Sequence, residues 1–144
     1  MNPSAVVDAS VVLKWVLPEP DSDEARRLAS WNLVAPEFLP LECGNALWMR
    51  ARRGLMLSED VLIVMEQLLA APIRLVAGKE LIRSALALAA RLDRPIYDCG
   101  YLALARTENV PVVTADARFV AAVRRSKGPA LPPILALANI GRLV

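Results

Sequence analysis

Short β-branched runs alternate with longer amphipathic segments along this chain, and that alternation sets the class of fold. Ala5-Val6-Val7, Leu33-Val34-Ala35, Ile73 to Val76, Val110 to Thr114 and Ile134 to Leu137 read as strands. Between them lie helical stretches. Residues 11–17 form a short one, stopped by Pro18 and Pro20, and Asp21 to Ser30 a second. Leu39 to Arg53 carries Pro40 in its first turn, and Ser58 opens a helix to Ala71. Gly78-Lys79 leads a helix broken at Arg94-Pro95, Asp98 starts one to Glu108, and Asp116 starts one to Arg125. Strand–helix alternation predicts an α/β fold, a parallel sheet covered by helices on both faces. With no internal repeat and no linker, a single domain spanning residues 1–144 is the simplest organisation.

Composition narrows the chemistry. The hydrophobic fraction, 56%, supports a packed core, and 22% charged residues is ordinary. The net charge of +2 neither demands nor discourages a nucleic-acid partner. The chain has no histidine, which excludes Ser-His and Cys-His nucleophile systems. Proton transfer must then fall to carboxylates, lysine, tyrosine or a metal-bound water. Cys43 and Cys99 are too far apart for a zinc motif and read as buried thiols of a reducing compartment. The N-terminus lacks a basic signal-peptide start, and no stretch is apolar enough for a bilayer. The expectation is a soluble, cytoplasmic protein.

Four of the fifteen acids stand in apolar company. Asp8 follows Val6-Val7 at a strand end, and Asp116 follows Val112-Val113-Thr114-Ala115. Glu42 lies in the first turn of the helix from Leu39, with Asn45 three positions on, and Asp98 leads an apolar helix. Each has a purely local reading, as a helix cap or first-turn acid that suits the helix dipole. The set has another. Ligands of open parallel sheets bind beyond the carboxyl ends of the strands, and all four acids can converge there. Clustered carboxylates repel unless a cation joins them. Oxygen-only ligation favours Mg²⁺ or Mn²⁺, which suit phosphodiester cleavage.

Val6-Val7-Asp8-Ala9-Ser10, Glu42 with Asn45, Tyr97-Asp98 before Leu102-Ala103-Leu104-Ala105, and Val113-Thr114-Ala115-Asp116 before Arg118-Phe119 together resemble the PIN-domain nucleases. Within these the pattern is similar to the VapC-like toxins of type II toxin–antitoxin pairs. The resemblance covers essentially the whole chain. It implies one PIN-like domain with strand order 3-2-1-4-5, which would set Asp8 beside Asp116. It implies Mg²⁺- or Mn²⁺-dependent cleavage of RNA, a homodimer, and a small antitoxin that blocks the site. Some PIN domains carry a further acid two residues after Asp116, where this chain has Arg118.

The expected mechanism is attack on RNA by a metal-activated water, leaving a 5′-phosphate and a 3′-hydroxyl. Asp8 and Asp98 would contact the metal, Asp116 would ligate it directly or through water, and Glu42 would hold a second ion or orient the water. Ser10, Thr114 and Asn45 are supporting candidates, although local caps and turns explain the two hydroxyls equally well. Three other readings compete: a housekeeping PIN nuclease without an antitoxin, a non-catalytic binding domain whose acids only cap helices, and a receiver domain. The last wants a lysine after a late strand, and none stands suitably after Asp116.

Overall fold

The computed structural model describes residues 1–143, so Val144, the last residue of the expected domain, lies outside the described residues. Five strands form one all-parallel sheet: β1 (Ser4–Val7), β2 (Asn32–Pro36), β3 (Ile73–Val76), β4 (Val112–Thr114) and β5 (Ile134–Ala136). Their order is β3-β2-β1-β4-β5, the 3-2-1-4-5 expected from the resemblance. Val6 pairs with Val34 on one side and Val112 on the other, while Val7 pairs with Val113. A parallel strand covered on both faces has no wet side, hence the unbroken apolar run of β1. Ala5, Val6 and Val7 are fully buried.

Seven helices surround the sheet among the described residues: α1 (Ala9–Val12), α2 (Ser22–Arg27), α3 (Leu39–Arg52), α4 (Ser58–Leu69), α5 (Ile82–Leu92), α6 (Ile96–Glu108) and α7 (Ala117–Arg125). Helix α6 packs against β1, β2 and β4 and along α5, and Cys99 to Ala105 are all buried. Helices α3 and α4 form a hairpin, and α7 covers β4 and β5. From β1 the chain crosses to β2 and β3, then returns to lay β4 on the other side. The order therefore reverses between β1 and β4, where open sheets of this class bind ligands.

Several boundaries differ from the sequence expectation, and three of them have a plain local cause. The first helix begins at Ala9 rather than at residue 11, because Asp8 caps it, and it tightens to a 3₁₀ turn at Leu13–Trp15. Strand β4 loses Val110 and Pro111. Pro111 has no N–H to add to the ladder, although its carbonyl still accepts from the Val6 amide at 2.9 Å. Helix α6 starts at Ile96, with Pro95 at the N-cap (φ −54°). Asp98 is thus a first-turn residue and not the helix's first.

Gly100 lies where α6 meets the loop before α3. A Cβ there would stand 2.8 Å from Phe38 Cζ. The Phe38 ring is held edge-on against Tyr101 (5.3 Å between centroids) and Tyr97 (6.0 Å), so it has little freedom to retreat. Gly100→Ala gains helix propensity of roughly 1 kcal/mol but overpacks this contact, at about 1–3 kcal/mol. Urea denaturation is expected to show a net loss of stability. A raised midpoint would mean that the ring moves aside at no cost.

Candidate active site

The sequence sets one acid just past each of the two central strand ends. Asp8 directly follows β1. Its side chain caps α1 through the Val11 amide (3.3 Å) and accepts from the hydroxyls of Ser10 and Thr114. Thr114 closes β4, so this contact ties the two strand ends together. Ser10 also approaches Thr114 Oγ1 (3.3 Å) and accepts from the Ala115 amide (3.0 Å). The expected supporting hydroxyls therefore both hold Asp8. Asp116 caps α7, with Oδ1 accepting from the amides of Arg118 (2.9 Å) and Phe119 (3.2 Å). For Asp8 and Asp116 the capping role and the location at the sheet edge coexist.

Glu42 projects from the first turn of α3, and its Oε2 accepts from the Tyr101 hydroxyl of α6 at 2.7 Å. Asp98, on the first turn of α6, accepts from Arg94 at 2.7 Å, and the same guanidinium nitrogen donates to Asp116 at 2.9 Å. Asn45 is exposed one turn beyond Glu42 and takes no part in the site's hydrogen bonds among the described residues. Arg118 is exposed, as a surface arginine would be. An apolar cleft of about 420 Å³, lined by Phe38, Ile82, Tyr97 and Gly100, opens by the first turn of α6, and none of the four acids lines it.

Two site residues escaped the sequence reading. Tyr101 looked like one more apolar-face residue of α6, and nothing local marked its hydroxyl. Arg94 looked only like part of a helix break. Its spacing of four from Asp98 was the available signal, but Arg94 lies before the helix, where helical spacing does not apply.

The acids influence one another's ionisation, so they share one neighbourhood. Burial pushes the Asp8 carboxyl from 3.8 up to about 6; its hydrogen bonds pull the other way, and the Glu42 charge adds to the rise. Burial also raises Glu42, against the Tyr101 hydrogen bond and with help from Asp98. Asp98 is raised by burial, with Arg94 opposing and Asp116 adding to it. Asp8 and Glu42 have no cationic side chain against them among the described residues.

This makes a pH prediction for the chain in EDTA. A carboxyl whose folded value lies above its unfolded one binds protons more tightly when folded. Its favourable contribution is complete below about pH 4 and is lost as pH climbs through about 6. For Asp8 the change is on the order of 3 kcal/mol. Denaturation across this range should show a loss in the wild type that is smaller in Asp8→Asn by about the Asp8 share, the rest coming from Glu42 and Asp98. Parallel curves for the two proteins would contradict it.

The donor chemistry fits a hard divalent cation: carboxylate oxygens alone, two of them lacking a counter-charge. The arrangement is not a closed cage. Among the described residues no three acidic or thiol groups close on one point tightly enough to grip an ion as they stand. The contacts above give the reason. Hydroxyls hold Asp8, Tyr101 holds Glu42, and Arg94 holds Asp98 and Asp116.

Comparison with known proteins agrees with the fold. The PIN domain family model matches residues 5–124. Ribonuclease VapC3 of Pyrobaculum aerophilum is 31% identical over 115 residues, spanning 77% of this chain and 88% of that protein. Among solved structures, VapC20 of Mycobacterium tuberculosis, a sarcin–ricin loop cleaving toxin, superposes with a TM-score of 0.63 at 19% identity. That match covers 82% of this chain and 94% of the other. A toxin–antitoxin complex from Klebsiella pneumoniae gives a TM-score of 0.60 at 11% identity, over 92% of this chain and 97% of that one.

Proposed function

This chain belongs to the PIN-domain family, and from that premise we propose that it is a divalent-metal-dependent endoribonuclease, the toxin of a toxin–antitoxin pair. One observation carries the reading: the reversal of strand order between β1 and β4 brings Asp8 beside Thr114 and Asp116, with Glu42 and Asp98 at the same neighbourhood. Kinship with a VapC ribonuclease supports RNA as substrate. The toxin–antitoxin complex among the similar folds supports a small antitoxin as partner. A homodimer is part of the same reading. No helix of the described residues is long and apolar enough to cross a membrane.

Asp8, Asp98 and Asp116 would hold a Mg²⁺ or Mn²⁺ ion, and Glu42 would hold a second ion or orient water. A bound ion supplies a more acidic water and neutralises charge on the phosphate. The chain's own residues do the rest. Ser10 and Thr114 fix the Asp8 carboxylate, so its orientation does not depend on a flexible side chain. Tyr101 fixes Glu42 in the same way. Asp116 uses Oδ1 for the α7 cap and keeps Oδ2 for a cation. With no histidine in the chain, Glu42, raised from the ordinary carboxylate range by burial, is the group suited to take a proton.

An RNA cleavage assay with added Mn²⁺, run with and without EDTA, tests the reading. Cleavage should require the metal and leave 5′-phosphate ends. Cleavage in EDTA equal to that in Mn²⁺ would remove the metal from the mechanism.

A further inference from the structure

Arg94 stands on the short connection between α5 and α6, after Asp93, whose backbone is left-handed (φ 51°). Its guanidinium lies 5.6 Å from the centre of the Phe119 ring and is only 17% exposed. A single nitrogen, Nη2, contacts Asp98 Oδ2 at 2.7 Å and Asp116 Oδ2 at 2.9 Å. Asp116 Oδ1 is committed to the amides of Arg118 and Phe119. Arg94 therefore covers the one oxygen that Asp116 has left for a cation. The buried Nε has no hydrogen-bond partner.

We propose that Arg94 is a resident cation of the acidic site, holding Asp98 and Asp116 together until it yields their oxygens to a divalent ion, and so weakening the site's grip on that ion. The inference rests on the metal-dependent reading above. A guanidinium and a divalent ion cannot share two carboxylate oxygens at contact distance without strong mutual repulsion. Displacing Arg94 breaks an incomplete hydrogen-bond set, because the stranded Nε gains a partner once it reaches water. Retained binding is reciprocal: whatever Arg94 contributes to the metal-free chain is subtracted from metal affinity.

Isothermal titration of Mn²⁺ into the full chain tests this without reference to activity. Arg94→Met keeps the length of the side chain and its packing on Phe119 but removes the charge. The expected result is Mn²⁺ binding at least fivefold tighter than in the wild type. In EDTA the variant should melt below the wild type, since Asp98 and Asp116 then face each other unscreened, and saturating Mn²⁺ should narrow or reverse that gap. Should Arg94→Met fail to fold, Arg94→Gln carries the test: it keeps an N–H donor for the carboxylates but no charge, so it too should bind Mn²⁺ more tightly than the wild type. Equal or weaker binding in the variant, with the wild type binding Mn²⁺, overturns the role of Arg94 and leaves the metal reading standing. No Mn²⁺ binding by either protein overturns both.

Discussion

Asp8→Asn is expected to lose RNA cleavage by at least ~100-fold, the upper end of what displacing even an outer partner of a metal site costs. The substitution preserves shape, and the hydroxyls of Ser10 and Thr114 can turn to suit an amide. Asn can still accept from the Val11 amide and cap α1. It removes a buried negative charge with no cationic side chain against it, so the fold should survive and the EDTA-treated variant should match or exceed wild-type stability at neutral pH. Cleavage of a labelled RNA in Mn²⁺, alongside a thermal melt, measures both sides. Wild-type cleavage by a folded variant would mean that the chemistry lies elsewhere.

The second large effect is on stability. Phe119 is fully buried near the start of α7, its amide bound to Asp116 and its ring facing Arg94. Phe119→Ala leaves a cavity beside β4 and should cost about 3–5 kcal/mol. Typical domains hold roughly 5–15 kcal/mol in all, so the melting point should fall by roughly 10 °C or more. Guanidinium denaturation gives the number, and a loss under about 1 kcal/mol would show that the neighbourhood collapses freely into the space. The loss also removes the ring that Arg94 faces.

The elements that depend on local pattern were readable in the sequence. Val6-Val7-Asp8 is an apolar run ended by an acid, and the structure makes it the central strand with its acid at the edge. The strand order was different: it came from resemblance, because periodicity carries no information about which strands pair. Errors clustered at proline. Pro95 takes the N-cap that a reading of side-chain oxygens would give to Asp98, and Pro111 trims β4. The acids were legible because a carboxylate in apolar sequence is costly by itself. Tyr101 and Arg94 were not, because a hydroxyl or guanidinium finds its partner only after α3, α6 and α7 come together.

The bond from Thr114 to Asp8 spans 106 positions of chain. No fragment that ends before β4 can therefore own a finished site, whatever local helices it forms. During synthesis β1 can pair with β2 early but waits without its β4 neighbour until Thr114 has left the ribosome. A nuclease built this way has no working site while β4 is still inside the ribosome.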